Sequence, residues 1–493
     1  MKKINASSDS IKTLIISSGK SVEKLILLLS TVILSRHLTQ TDFGTYRQVF
    51  LVTGILLTVF TFGIPQTINY FLPLRKEKDK KTFIYQTFLI QVLLGFVASL
   101  ICWYGGFYIA RLFSNPLLEN YLKIFALFPL FFLPANSYTN IFICINRAKL
   151  SAVISIVFGI IRLAIIVFAV VLKLSLSFIF VSLLLYALIL FLTILLIVSF
   201  NFSLYHISFS LNNFIRQLKF ALPIGLSSII GILIIRIDQF MISSFFSVED
   251  YAVYSVGTLE IPFVNILTVS SMAVITPYLV KQYKANRLDL FLQKWNNSLI
   301  KISYVIFPVT VFFIFFARET IIILYTDRYT ESSIIFLIYL LRLFVKITFF
   351  GHILVALGSP KAVLKFSIIT LILNIILNFL FIRLFGFTGP AIASVVAIYV
   401  ISLLQLIKIS GIINKSLSTV WPWKDLLIIL ISAFISASIS YLAKFIELPL
   451  IILMIAVTIV FSSVYLLLTQ FIFKRFLPGI IKITFPGFGV KKV

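Results

Sequence analysis

Residues 39–46 read TQTDFGTY, and residues 247–254 read SVEDYAVY. Each is a short polar island between two long apolar runs. Both run acid, aromatic, small residue, any residue, Tyr: Asp42-Phe43-Gly44-Thr45-Tyr46 against Asp250-Tyr251-Ala252-Val253-Tyr254. The separation is 208 residues, and a fainter echo follows at nearly the same offset, Ile68-Asn69-Tyr70-Phe71-Leu72 against Ile275-Thr276-Pro277-Tyr278-Leu279. Short turns between helices resemble one another by chance, but two echoes at a near-constant offset predict an internal parallel repeat. Within it the island is expected to be architectural. Its acid sits near a helix N-terminus, where the dipole favours it, and its aromatics sit at a membrane interface.

The flanking runs decide the solvent. The 493-residue chain is 60% hydrophobic and only 12% charged, whereas soluble domains carry about 25% charged residues. Apolar runs long enough to cross about 30 Å of hydrocarbon recur throughout, and no alternating ten-residue segments suggest a barrel. The fold class expected is an all-α polytopic membrane protein. The net charge of +26 would suggest nucleic acid in a soluble protein, but here the bases flank spans and form no domain of their own, so no nucleic-acid partner is expected. Cys102 and Cys144 lie in apolar runs without metal or redox spacing, and His37, His206 and His352 are scattered, so no metal site is expected. The opening MKKINASSDSIK leads into a span containing Lys20, Glu23 and Lys24, which reads as an uncleaved first helix.

Fourteen spans are predicted, at about 13–36, 45–71, 84–110, 119–145, 150–172, 177–200, 214–246, 251–280, 296–317, 332–357, 361–383, 389–412, 425–445 and 449–473. Links on one side, such as Arg75 to Lys81 and Lys281 to Lys301, together with both ends of the chain, hold 27 Lys and Arg; the opposite links hold nine. Both termini are therefore expected in the cytoplasm. The repeat divides the chain into an N-terminal six-helix lobe (1–206), a C-terminal six-helix lobe (207–412), and helices 13 and 14 with a basic cytoplasmic tail (413–493). Two pseudo-symmetric lobes suggest a transport path by alternating access.

LSRHLTQTDFGTY after the first span, FGIPQ (Phe62 to Gln66) in the second and RIDQFMIS (Arg236 to Ser243) in the seventh resemble the polysaccharide-transporter branch of the multidrug/oligosaccharidyl-lipid/polysaccharide flippase superfamily. The resemblance covers essentially the whole chain. It implies a flippase in the bacterial cytoplasmic (inner) membrane, carrying an undecaprenyl-pyrophosphate-linked oligosaccharide to the outer leaflet for O-antigen, capsule or exopolysaccharide synthesis. The partners implied are that lipid-linked oligosaccharide, the bilayer and other polysaccharide-assembly membrane proteins.

Ionisable residues deep in spans are costly, so each is a functional candidate. Nine stand out: Lys20, Glu23 and Lys24 in the first span, Arg162 in the fifth, Arg236 and Asp238 in the seventh, Glu260 in the eighth, Arg342 and Lys346 in the tenth. Six bases against three acids favour an anionic cargo. Lys20, Lys24, Arg162, Arg236, Arg342 and Lys346 are the candidate substrate-binding residues; Glu23, Asp238 and Glu260 are candidate ion-coupling groups or counter-ions. On a continuous helix Arg342 and Lys346 would share one face about 15 and 21 Å deep, facing either a ligand pyrophosphate or structural acids. Arg236 and Asp238, two residues apart, point away from one another. Glu260, near the midplane and two residues before Pro262, is a proton or cation site or a plain counter-ion. No cofactor is expected, and a proton or sodium gradient is the candidate energy source.

A drug/cation antiporter of the same superfamily would want acids to dominate its cavity, against the observed excess of bases. A lipid II-type flippase would want the same cationic cavity and stays open. A membrane-embedded polymerase needs catalytic carboxylates or arginines on a sizeable outer loop. The longest polar outer link, Ala317 to Glu331, carries Arg318, Glu319, Asp327, Arg328 and Glu331, read as solvated rim. No catalytic residue is therefore assigned, and the protein is not expected to be an enzyme.

Overall fold

The computed structural model describes residues 6–201 and 210–476, and the described chain is helical throughout. Contacts divide it into two compact units, Met1–Ser255 and Val256–Val493. The lobe boundary expected at 206/207 lies outside the described residues, as do most of the basic tail and the N-terminal Lys2 and Lys3.

Unit 1 contains α1 (Ala6–His37), α2 (Gln40–Thr61), α3 (Ile64–Phe71), α4 (Glu77–Leu112), α5 (Pro116–Ile124), α6 (Phe128–Asn136), α7 (Tyr138–Cys144), α8 (Ala148–Val171), α9 (Leu176–Asn201) and α10 (Leu211–Phe245). The next helix, α11 (Val248–Gly257), runs to the unit's edge. α1 packs along α8, α4 against α5 and α6, α9 against α6, and α10 against α2 and α3.

The two polar islands are helix starts. Thr39 caps α2, accepting a hydrogen bond from the Asp42 N–H at 3.0 Å while its hydroxyl donates to the Asp42 carboxylate at 2.8 Å. Ser247 does the same for α11, with the Asp250 N–H at 3.1 Å and the carboxylate at 2.8 Å. Each box satisfies an orphan N–H of the first turn and places an acid at the positive end of the helix. The helices therefore begin earlier than hydropathy suggests, because the capped turn is polar. The aromatics Phe43, Tyr46, Tyr251 and Tyr254 are all buried in protein contacts, so they lie on inward faces of the helices the islands start.

The second expected span is broken. Phe62 (φ 45°) and Gly63 (φ 71°) both adopt the left-handed conformation between α2 and α3, and Pro65 follows in the first turn of α3, where its missing N–H costs nothing. The break is seated on α10: a Cβ at Gly63 would lie 2.9 Å from the Ala221 carbonyl oxygen, and one at Gly225 equally close to that of Phe62. The fourth expected span is also broken, into α5, α6 and α7, with a 56° bend after α5. Ser137, between α6 and α7, is held by the Gln91 side chain of α4 at 2.6 Å. Irregular backbone at membrane depth survives only with protein partners such as these.

Unit 2 continues with α12 (Pro262–Lys284), α13 (Leu288–Phe315), α14 (Ala317–Tyr325), α15 (Ser332–Leu341), α16 (Leu343–Lys346), α17 (Phe350–Ala356), α18 (Pro360–Phe385), α19 (Gly389–Ile413), α20 (Leu417–Val420), α21 (Trp423–Tyr441) and α22 (Leu450–Phe476). Its core gathers Trp295, Phe350 and Trp421 with the buried faces of α12, α13 and α17. The two additional C-terminal helices, α21 and α22, pack on α13 and on each other; the Tyr465 hydroxyl donates to the Tyr304 carbonyl at 2.9 Å, and Phe312 meets Phe461 edge to face at 5.2 Å.

By length and composition ten described stretches qualify as membrane spans, eleven with the bent α5–α7 segment, and one of the ten, Pro360–Ile413, contains both α18 and α19. With α1 and α11–α12 the segments follow the order expected of the fourteen predicted spans. In the link 317–331, Arg318, Asp327, Arg328 and Glu331 are exposed, as expected of a solvated rim, and Glu319 departs from that reading. The link folds into α14 and a 3-10 turn, and Glu319 pairs with Lys444 at 2.7 Å, both largely buried. The Lys444 ammonium also stands 4.3 Å from the Tyr441 ring centroid. Burial pushes the neighbouring Tyr329 hydroxyl up to about 12. The ion pair fastens this link to the segment between α21 and α22, while Tyr329 packs on Tyr325 within the link.

Candidate functional site

Inside unit 1, α1, α2, α3, α6, α7, α8 and α9 enclose a cavity of about 350 Å³. The breaks create it. α3 starts anew at Ile64, bringing Gln66 to the wall, and the α6–α7 junction contributes Asn136, Tyr138, Thr139 and Asn140. α1 supplies Glu23, α8 supplies Ser155, and α9 supplies Tyr186. The Tyr138 and Ser155 hydroxyls hydrogen-bond across the wall. One carboxylate among amides and hydroxyls, in a largely enclosed space, suits a proton or a small monovalent cation. Among the described residues no cluster of three His, Cys, Asp or Glu side chains could hold a metal ion.

Arg162 lies one helical turn beyond Phe158 on the same face of α8. It is half-buried, its guanidinium 5.5 Å from the Phe50 ring centroid, and its Nε is shut off from solvent without a hydrogen-bond partner in the structure. Phe50 belongs to an aromatic cluster with Tyr46, Phe125 and Phe180, so the cation is held by ring faces. Tyr186 lies within electrostatic reach of both Arg162 and Glu23. The structure thus brings two of the nine intramembrane charges to one region of unit 1.

The others are placed separately. Lys24 is exposed on α1, and the Lys20 side chain lies outside the described residues. Arg236, half-buried, donates to the Gln239 side chain at 2.9 Å. Asp238 is buried, and one of its oxygens accepts the Gln239 N–H at 2.8 Å. Glu260 is exposed in the non-helical stretch between α11 and α12, rather than inside a continuous eighth helix. Pro262 explains the difference: it opens α12 and cannot supply the N–H that a continuous helix would need.

Arg342 and Lys346 do not lie on one unbroken helix. Arg342 is the junction between α15 and α16, and α16 ends at Lys346; Phe349 (φ 56°) then interrupts the chain before α17. The Lys346 N–H still donates to the Arg342 carbonyl at 2.9 Å, so one turn survives. The Tyr399 hydroxyl on α19 donates to the Leu341 carbonyl at 2.9 Å, at the break. Arg342 is half-buried with its guanidinium 5.0 Å from the Tyr339 ring centroid, and Lys346 is exposed.

Gln66, Asn136, Tyr138, Asn140 and Tyr186 were not singled out by charge. For Asn136, Tyr138 and Asn140 the signal was present as an uninterrupted polar run, Asn136-Ser137-Tyr138-Thr139-Asn140, in an otherwise apolar span.

A family model described as "Polysaccharide biosynthesis protein" matches residues 33–334, more than half of the chain. The chain belongs to this polysaccharide biosynthesis family. Among solved structures, a lipid II flippase captured in an inward closed conformation is similar at a TM-score of 0.75 and 17% identity, over 94% of this chain and 100% of that one. An inward-facing multidrug resistance transporter of the MOP superfamily is similar at 0.63 and 15% identity, over 80% and 96%. A multidrug and toxin extrusion transporter from Vibrio cholerae is similar at 0.56 and 12% identity, over 84% and 99%. No curated protein matches the chain in sequence. At these identities the structures establish the fold of the family member described here, an all-α polytopic membrane protein with added C-terminal helices.

Proposed function

We propose that the protein is a flippase that moves a polyprenyl-pyrophosphate-linked oligosaccharide across the bacterial cytoplasmic membrane during polysaccharide biosynthesis. The observation that carries this reading is the coincidence of a polysaccharide biosynthesis family match with the fold of a lipid-linked-cargo flippase over 94% of the chain. The excess of intramembrane bases supports an anionic headgroup. In this reading Arg342 and Lys346, with Lys20, Lys24, Arg162 and Arg236, attract the pyrophosphate, while the polyprenyl tail stays in lipid. At an effective dielectric of about 20 a charge pair at 4 Å is worth about 4 kcal/mol before desolvation, so a few such bases suffice without a metal. Glu23, in its enclosed polar cavity, is the group best placed to bind the coupling ion; Asp238 and Glu260 act as counter-ions.

The likeness to a lipid II flippase favours a second reading, in which the cargo is a lipid-linked cell-wall precursor. Depletion of the protein separates the two. Accumulation of lipid-linked polysaccharide units inside the cell, with cell-wall synthesis continuing, is the expected result. Arrest of cell-wall synthesis and lysis would establish the second reading, and the absence of both effects on depletion would overturn the proposal.

A further inference from the structure

A second concavity in unit 1, an open groove of about 530 Å³, lies where the starts of α2, α5 and α11 meet the end of α10. Its polar wall is made by the hydroxyls of Thr41, Ser114, Ser244 and Ser247 and the Glu249 carboxylate, and its larger apolar part includes Leu117, Phe246 and the exposed Phe245 ring. We propose that this groove is a saccharide-binding subsite on the face opposite the basic links. It rests on the flippase reading above and assigns the place where a neutral sugar of the cargo is held.

No Lys or Arg contributes to the groove, so it offers nothing to a pyrophosphate. A polyprenyl tail would strip water from four hydroxyls and a carboxylate without replacing its hydrogen bonds, and a single carboxylate is a poor cage for a divalent cation. What it offers suits a polyol. One Glu249 oxygen accepts from Thr41, which leaves lone pairs for charge-assisted bonds from sugar hydroxyls. Ser244 donates to the Phe240 carbonyl and so keeps its own oxygen free to accept. The Phe245 ring gives an apolar face for the C–H side of a pyranose. The volume falls in the range of small-molecule sites, and few placed polar groups on an apolar platform are their usual composition.

The groove is also held rigid from behind. Buried Asn115, the cap of α5, donates to Thr45 at 2.9 Å and to Gln48 at 2.6 Å, and Gln48 donates in turn to Ser243 of α10 at 2.8 Å. Asn115 further accepts the Leu117 N–H at 3.2 Å. Three of the helices that form the walls are thereby tied by one network, which lowers the ordering cost of binding.

The test uses the full-length protein in cells that make its native glycan, with Ser247→Cys or Ser244→Cys introduced singly on a background lacking Cys102 and Cys144. Alkylation by a membrane-impermeant maleimide is timed with the initiating sugar-phosphate transferase present and absent. Slower labelling when cargo is made is expected, about fivefold if cargo stands at about four times its dissociation constant, and Glu249→Gln should remove most of that protection. Equal rates with and without cargo overturn the subsite. So does failure of the maleimide to reach either cysteine in intact cells while permeabilised cells react, since the groove would then face inward. Glycan export measured in the same strains keeps the two claims apart: export that depends on the protein without any protection sinks only the groove, and export independent of the protein sinks the flippase reading.

Discussion

Replacing Gly44 by Ala should destabilise the protein, although alanine is the better helix former. Gly44 sits in the first turns of α2, against the start of α11. A Cβ there would collide with the Val248 carbonyl oxygen and stand 2.8 Å from its Cγ1. The obstacle is backbone in a capped first turn, so it cannot swing aside as a long side chain would. Overpacking of this kind costs up to about 3 kcal/mol, and the gain in helix propensity returns about 1 kcal/mol, leaving a net loss of about 2 kcal/mol. For a cooperative unit of this size each kcal/mol moves the midpoint by about 2–4 °C, so the thermal midpoint of purified protein in detergent should fall by about 4–8 °C. Gly54→Ala is the internal control: it lies in the same helix, and a Cβ there meets nothing within 4 Å. That variant should melt at or above the parent. A Gly44→Ala protein that melts with Gly54→Ala would refute the claim that α2 and α11 are held in backbone contact here.

Lys444→Met should cost about 3–5 kcal/mol, because it strands the largely buried Glu319 carboxylate; the double variant with Glu319→Gln should recover much of it, and a melting series that shows simple additivity would contradict the pairing. Arg342→Ala and Lys346→Ala together should abolish glycan export at normal protein abundance, whereas Arg342→Lys should retain part of it; wild-type export from the double alanine variant would remove both residues from cargo binding. Reporter fusions at Lys80 and Lys284 should signal the cytoplasm and fusions near Gly44 and Glu249 the outside, and a periplasmic signal at Lys80 would reverse the orientation.

The sequence disclosed the solvent, the all-α class and the order of spans, because hydropathy over some twenty residues needs no tertiary information. It disclosed span continuity poorly. Nothing in Ser332 to Ala356 marks Arg342 as a junction: no Pro or Gly stands beside it, and the break at Leu341 has a partner hydroxyl, Tyr399, about 58 residues away in sequence. The break at Phe62–Gly63 was more legible, since Gly63 and Pro65 are the residues such a turn requires. The same distinction applies to the cavity. Glu23 declared itself by charge, whereas Tyr138 and Tyr186 became wall residues only once α7 and α9 had packed. Glu319 misled in the other direction: a mixed-charge link looks solvated until Lys444, 125 residues on, is brought against it.

The polar islands carry one further consequence. Thr41 donates to Glu249, and an Arg47 nitrogen donates to the Ser255 carbonyl at 3.3 Å; both contacts join residues 208 apart, the offset at which the two islands repeat. A residue that touches its own counterpart in a repeat must lie on or beside the axis relating the copies, as at any isologous contact. Two such self-meeting pairs, six residues apart along α2 and along α11, would mark out a line rather than a point. The same logic accounts for small residues at the crossing: Gly44 and Ala252 occupy equivalent positions, where a bulky side chain would meet the partner helix from both directions. Chance resemblance between two turns supplies no reason for their residues to meet at the repeat offset, whereas an internal duplication supplies one. We propose that the two islands are copies of one repeated unit, and the 208-residue offset of both contacts supports that reading.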